Sequence, residues 1–356
     1  MADTSGLRAP QAASAAPLLR PDYACTVSII VVSFNTRDLL RECLTALRAE
    51  CARLDDDVSA EILVVDNGSR DGSADMVAAE FSASGTPVRL IRSDVNLGFG
   101  VANNRAIESA RGRYLVLLNS DAFSHSGSLA RAIAHIAADV STGIGGARLV
   151  GRDGAWQPAA HMFPSISRDA FVLTGLASRF PRSRFFSAPE RTWADPAAPA
   201  DVDWVTGAFM ILRREALSKA GLFDPAFFLY CEEVDLCRRV KAAGFGVRYW
   251  PDIVVTHLHG ESSRQVDAQV FSKDESQVVL WRMRSNFLYY RKHHGAKVWL
   301  ARWLEEVLYS ARFLRNRFSR SPARRERARE AVVLLSLLRQ AWRETRGGRV
   351  SPSIPW

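Results

Sequence analysis

The chain has 356 residues, 47% of them hydrophobic and 24% charged, a balance that excludes disordered and fibrous classes for most of its length and allows one large domain or two. No run comes near the ~18 consecutive apolar residues of a membrane-spanning helix, and residues 1–24, with Asp3, Arg8 and Arg20 among scattered Ala and Pro, lack the apolar block of a signal peptide. The five cysteines (Cys25, Cys43, Cys51, Cys231, Cys237) show no CxxC pairing, which argues against a disulfide framework or a zinc knuckle and makes the cytoplasm the expected compartment.

Charge is unevenly placed. Between Val278 and Arg349 there are 18 Lys or Arg against 5 Glu, a net of +13 where the whole chain carries +9, so the remainder is close to −4. A mildly acidic body precedes a cationic tail.

Residues 1–24 read as a disordered leader. VSIIVVSF (27–34) is a continuous β-branched run, the pattern of a strand buried on both faces. Asn35 and Thr36 are placed to cap a helix carrying Leu39, Leu40, Cys43, Leu44 and Leu47 at helical spacing. EILVVD (61–66) predicts a second buried strand, followed by the turn chemistry of NGSRDGS. VRLIRS (88–93), a helix over about 98–110 and YLVLLNSD (114–121) complete four strands. Strands and helices in alternation predict a parallel sheet with helices on both faces. Residues 150–200 show no clear period and read as loops or a flap, and patterning returns over 201–214, 221–244 and 245–260. The tail predicts two amphipathic helices, with apolar stripes Leu300, Leu304, Val307, Ala311, Leu314, Phe318 and, beyond Pro322, Ala331, Leu334, Leu335, Leu338, Trp342.

Ligands of such sheets sit at the carboxyl ends of the strands, where Ser33-Phe34-Asn35, Asp66-Asn67, Asn96 and Asn119-Ser120-Asp121 fall. Asp121 beside a diphosphate would need a divalent cation between them, and Mg²⁺ or Mn²⁺ prefers carboxylate and phosphate oxygens; the alternative is a turn cap. Asp66 could accept the imide N–H of uracil or thymine, or form an Asx-turn. Asn96, Asn103 and Asn104 offer ligand contacts or helix capping. Glu232, Glu233 and Asp235 crowd three carboxylates into one helical turn, where mutual repulsion raises pKa and suits a general base, with Arg239 placed to offset Asp235. His257 and His259 alternate along a strand and offer one metal ligand or a core histidine.

The segments VSIIVVSFN, ILVVDNGSRDGS, NLGFGVANNRAI, GRYLVLLNSDA, WVTGAFMILRREAL, GLFDPAFFLYCEEVDLCRR and Pro251 to His257, in this order, resemble the family 2 glycosyltransferases, and within them the rhamnosyltransferase-like branch of bacterial polysaccharide synthesis. The resemblance runs from about Val27 to Ser263. It implies a GT-A fold over 25–265, with a nucleotide-sugar half (25–125) and an acceptor half (126–265), ahead of a basic helical extension (266–349) and a short tail (350–356). It implies inverting transfer from a nucleotide-diphosphate sugar, with dTDP-rhamnose the expected donor and galactofuranosyl or hexosyl donors the alternative. Ser33, Phe34, Asn35 and Asp66 would hold the base, with Asn67, Asn96, Asn104 and Ser120 nearby; Asp121 and His257 would hold the metal; Trp204, Gly207 and Ala208 would line the acceptor side.

Glu233 occupies the position of the family's catalytic Asp, longer by one methylene, with Glu232 and Asp235 as alternative bases. That departure also admits a catalytically silent sugar-nucleotide-binding protein. The acceptor implied is a glycan or lipid-linked glycan. The basic helices suit an anionic membrane surface at its cytoplasmic face, or packing on the catalytic domain or a second subunit. Nucleic-acid binding is disfavoured, because Trp and Leu follow helix faces instead of forming stacking platforms.

Overall fold

The computed structural model describes residues 23–82, 85–258 and 271–352, the side chains of 271–275 excepted. Nearly all of the expected leader, His259 and the end of the expected catalytic domain lie outside the described residues. Four apolar segments form parallel strands β1 (Cys25–Ser33), β2 (Ala60–Asn67), β3 (Val88–Ser93) and β4 (Gly112–Asn119), in spatial order β3-β2-β1-β4. Helices α1 (Arg37–Cys51), α2 (Ser73–Glu80) and α3 (Phe99–Ser109) connect them. Both faces of this sheet are covered, so Ile29, Ile30, Val31, Leu63, Val64, Val116 and Leu117 are all buried without a polar alternation.

The second half extends the same sheet. Beyond β4 come β11 (Phe209–Arg213), β6 (Thr142–Val150), β12 (Gly246–His257) and the short β5 (Ala122–Ser124). β11 runs antiparallel to both β4 and β6, and β12 runs parallel to β6 but antiparallel to β5. The 150–200 segment, expected to be loops, contributes more order than that. It holds β7 (Trp156–Gln157) on the edge of β6, β8 (Ala160–His161) paired with β10 (Trp204–Val205), β9 (Ala200–Asp201) beside β12, and helices α5 (Ile166–Leu173) and α6 (Leu176–Arg179). Elements of two residues carry no period to read. Helices α4 (Ser128–Ala138), α7 (Arg214–Ala220) and α8 (Glu232–Ala242) complete the layers.

The extension consists of α9 (Phe271–His294), α10 (Val298–Asn316) and α11 (Pro322–Glu344), with Pro322 in the first turn of α11. It shares a core with the sheet domain. Phe227 and Val234 are buried in one cluster with Leu280, Met283, Phe287, Tyr289, Tyr290 and Leu338. The sequence boundary near 265 is therefore not a packing boundary. The α11 stripe packs inward, with Ala331 and Leu338 fully buried, the alternative to a lipid-facing role for that helix. On α10 the buried positions are Val298, Ala301, Glu305, Tyr309 and Asn316, while Leu300, Val307 and Leu314, with Phe318 just beyond the helix, stay exposed. No described helix is long and apolar enough to cross a membrane.

Candidate active site

The parallel register levels the ends of the strands: Ser33 lies opposite Asp66, and Val32 opposite Asn119. Past these ends the chain is locked by short polar side chains. Ser33 Oγ and Thr36 Oγ1 are 2.9 Å apart, and Thr36 donates to Ser120 Oγ at 2.8 Å, tying the end of β1 to that of β4. Asn35 adopts a left-handed φ of 52°, tolerated by Asn better than by most residues. Its Oδ1 accepts the Arg70 N–H and its own N–H donates to Ser69 Oγ, which fixes the half-buried Phe34 and the two strand-end loops as one rim.

Asp66 is 5% exposed, and its Oδ1 has no hydrogen-bond partner among the described residues. A buried carboxylate oxygen left so is costly unless a ligand completes it. Asn67 and Asn96 are engaged differently. Asn67 Nδ2 donates to Asn96 Oδ1 at 2.8 Å, Asn67 Oδ1 accepts Leu97 N–H and Asn96 Oδ1 accepts Gly98 N–H. They build the loop that starts α3. Asn104, expected to face the donor, exchanges both amide atoms with the Phe223 main chain at 2.8 and 3.0 Å, and so clamps α3 to the loop ahead of α8. Asn103 donates to the Phe99 carbonyl within α3.

Asp121 and His257 meet because β5 pairs antiparallel with the end of β12, placing Ala122 opposite His257 and joining Leu258 N–H to the Asp121 carbonyl. Asp121 Oδ1 lies 3.6 Å from His257 Nε2, and both residues are buried. Asn119 Nδ2 approaches the same Nε2 at 3.5 Å, and the His257 carbonyl accepts from Gln157. One carboxylate and one imidazole at this spacing suit a hard divalent cation whose other positions go to phosphate oxygens and water. No cluster of three or more metal-ligating side chains occurs among the described residues.

A set of contacts leads from Asn119, at the end of β4, to the acidic helix. Ala208 accepts the Asn119 N–H, Gly207 lies against the Phe99 ring, Phe99 N–H donates to the Phe228 carbonyl, and Gly100 abuts Phe223 and Glu232. Gly98, at φ 78°, sits where any Cβ would strike the Phe228 carbonyl. Trp204 stacks on His161 with ring centroids 4.1 Å apart and donates its indole N–H to the Met162 carbonyl.

Tyr230 and Cys231 both hold left-handed φ values, 70° and 65°, directly ahead of α8. Two consecutive non-glycine residues in that region store strain of the kind found where a side chain must be aimed. Glu232 and Glu233 follow. Each has an Oε2 without a hydrogen-bond partner among the described residues. Burial, reinforced by the neighbouring carboxylate, pushes Glu232 well up. Burial also pushes Glu233 up to about 7, against the opposing pull of the Glu233 and Val234 N–H groups.

Asp235 is different. It is fully buried and contacts Arg239 at 2.8 Å, Lys292 at 2.7 Å and His293 at 2.6 Å. Although burial alone would raise it, these partners hold it at about 2. This corrects the reading of Asp235 as an alternative base: its oxygens are committed to Arg239, Lys292 and His293. Lys292 and His293 were missed in the sequence; the Arg-Lys-His-His run closing α9 was their signal.

Comparison with known proteins agrees with this architecture. The chain is 25% identical over 318 residues to the N-acetylglucosaminyl-diphospho-decaprenol L-rhamnosyltransferase of Mycobacterium tuberculosis (strain ATCC 25618 / H37Rv), covering 86% of this chain and 97% of that protein. It is 32% identical over 88 residues to rhamnosyltransferase WbbL of Escherichia coli (strain K12), covering 25% of this chain and 30% of the relative. The structure of GalNAc-T7 with UDP, GalNAc and Mn²⁺ matches in fold with a TM-score of 0.50 at 16% identity, over 73% of this chain and 51% of that one. The model of glycosyl transferase family 2 matches residues 28–221, more than half of the sequence, and the chain therefore belongs to that family: it is a glycosyltransferase of the GT-A fold, rhamnosyltransferase-like in its relatives.

Proposed function

We propose that the enzyme transfers rhamnose from dTDP-rhamnose, with inversion, to a hydroxyl of a lipid-diphosphate-linked glycan at the cytoplasmic face of a membrane. The observation that supports this reading is similarity over 86% of the chain to a diphospho-decaprenol rhamnosyltransferase, together with Asp66 and Asn119 at the level ends of the parallel strands flanking β1 and a run of contacts from Asn119 through Phe99 to Glu232. Asp66 offers its buried oxygen to the imide N–H of the base. Asp121 and His257 would hold a divalent cation, which when bound neutralises charge on a departing diphosphate. Glu233 accepts the proton of the acceptor hydroxyl as that oxygen attacks the anomeric carbon and the carbon–phosphate-oxygen bond breaks. Gly207 and Ala208 form the floor on the acceptor side, backed by Trp204.

Thermal-shift measurements test the donor. dTDP-rhamnose with Mg²⁺ or Mn²⁺ is expected to raise the melting temperature; Asp66→Ala should abolish the shift, and Asp121→Ala should remove its metal-dependent part. Stabilisation by UDP-sugars with none from dTDP-rhamnose would overturn the donor assignment.

The membrane part of the proposal rests on α10. Trp299, Leu300, Trp303, Val307, Leu314 and Phe318 remain exposed, Phe318 at 82%. Arg312, Arg315, Arg317 and Arg320 accompany them, and Arg324, Arg325, Arg327 and Arg329 continue on α11. Aromatic and aliphatic groups among arginines match an anionic lipid interface, whereas two copies of this cationic face would repel each other. The protein is expected to float with phosphatidylglycerol-containing vesicles but not with neutral phosphatidylcholine ones, and to be released by salt. Trp303→Ser with Phe318→Ser should abolish flotation; undiminished flotation, or a dimer that these substitutions dissolve, would refute lipid docking.

A further inference from the structure

A cavity lies between α5, α9 and α10. Its volume is about 160 Å³, and Asp169, Arg282, Asn286 and Glu305 supply its polar lining, with Leu173 and Ala301 among its apolar walls. The polar groups are built in. Asp169 Oδ2 accepts the Tyr290 hydroxyl at 2.5 Å, and Glu305, 7% exposed, accepts the Tyr309 hydroxyl at 3.1 Å. Arg282, one turn before Asn286 on α9, stands exposed at the rim.

The place of this cavity matters more than its size. Asn286 Oδ1 lies 4.0 Å from Cys231 Sγ, the residue directly ahead of Glu232 and Glu233, and the adjacent Ser285 Oγ donates to the Leu229 carbonyl at 2.7 Å. The stretch of α9 that lines the cavity therefore also holds the strained segment that aims the acidic pair. Its chemistry selects the occupant. Two carboxyl groups against one guanidinium do not favour a phosphate. Burial raises Asp169 to about 6 and raises Glu305 as well, which suits groups that exchange hydrogen bonds with neutral hydroxyls. Carboxyl, amide and guanidinium groups around an apolar wall match a pyranose ring, whose edge is polar and whose face is C–H.

Resting on the transferase reading above, we propose that this cavity is the subsite for a neutral pyranose unit of the acceptor, held by Asp169, Arg282, Asn286 and Glu305 beside the base. The helical extension then completes the acceptor site as well as supporting the fold.

The test uses the full chain and a panel of methyl glycosides (of N-acetylglucosamine, glucose and rhamnose) in ligand-observed NMR, with acceptor kinetics alongside. At least one glycoside is expected to receive saturation from the protein. Arg282→Ala, at an exposed position, and Ala301→Leu, which fills the space without touching a polar group, should each abolish that signal and raise the acceptor KM at least tenfold. The melting shift caused by the nucleotide sugar should persist in both. Should Ala301→Leu fail to fold, Arg282→Ala alone decides. No glycoside signal with the wild type at tens of millimolar, or an unchanged acceptor KM in Arg282→Ala, would overturn the subsite. Loss of the nucleotide-sugar shift in the wild type would instead count against the donor reading.

Discussion

Glu233→Gln is expected to lower kcat by about 10²–10⁴-fold, the usual contribution of a positioned general base, and at the same time to make the protein more stable at pH 8. The two effects share one cause. Burial raises Glu233 to about 7 in the folded protein, while in the unfolded chain it titrates near the ordinary glutamate value of 4.5. Between those values the folded state binds more protons than the unfolded state, so stability falls as pH rises through the window. Above it the full penalty of holding the charge in the fold is present, and a neutral amide removes that penalty. Each kcal/mol recovered should raise the melting temperature by about 1–2 °C for a chain of this length. Below pH 4.5 wild type and variant should converge. The wild-type kcat/KM should climb with pH through about 7, because the base must be ionised before it can accept a proton. Glu233→Asp, one methylene shorter, keeps the charge but withdraws the carboxylate, and a displacement near 1 Å can lower kcat by about 10²-fold. A Gln variant that keeps wild-type turnover, or loses stability at pH 8, would remove Glu233 from the role of base.

The half of the molecule that could be read in advance is the half whose residues answer to local rules. VSIIVV, EILVVD and YLVLLN are long runs buried on both faces, and they became β1, β2 and β4 with their polar ends at one edge of the sheet. Asp121 and Asp66 were legible as site candidates because strand ends and carboxylates coincide there. Asn67, Asn96 and Asn104 were not separable from ligand-binding residues, because an amide bound to a main-chain group of a distant loop has no sequence signature. Asn104 and Phe223 are far apart in the chain yet exchange two hydrogen bonds. The same limit applied to α10. Its apolar residues recur at helical spacing on one stripe, but periodicity fixes a face without saying what covers it. The structure buries the adjacent stripe, through Ala301, Glu305 and Tyr309, and leaves the more apolar one outside.

Removal of the Asp235 carboxylate by Asp235→Ala should destabilise the protein by about 3–5 kcal/mol, the scale for breaking a buried ion pair from one side. Arg239 and His293 are largely buried around it, and Lys292 reaches it while also pairing with Asp224 at 2.6 Å. Arg239 and Lys292 would lose a counter-charge and His293 a hydrogen-bond partner, at a point where α8 and the last turn of α9 are joined. Arg238 sits beside them, donating to the Tyr289 hydroxyl at 3.0 Å and lying 3.3 Å from His294 Nε2, so the disturbance falls on the junction that orients Glu233. Activity should therefore drop along with stability, through KM for the acceptor as well as kcat, although Asp235 touches no substrate. The pH dependence runs opposite to that of Glu233. Folding holds Asp235 at about 2 against the ordinary aspartate value of 3.8, so its stabilisation is present above 3.8 and is lost as pH falls toward 2. Urea denaturation of wild type and Asp235→Ala at neutral pH measures the difference directly. A change under 1 kcal/mol would mean that Arg239, Lys292 and His293 find other partners, and that the extension is fastened to the acidic helix chiefly by the apolar contacts of Phe227 and Val234 with α9.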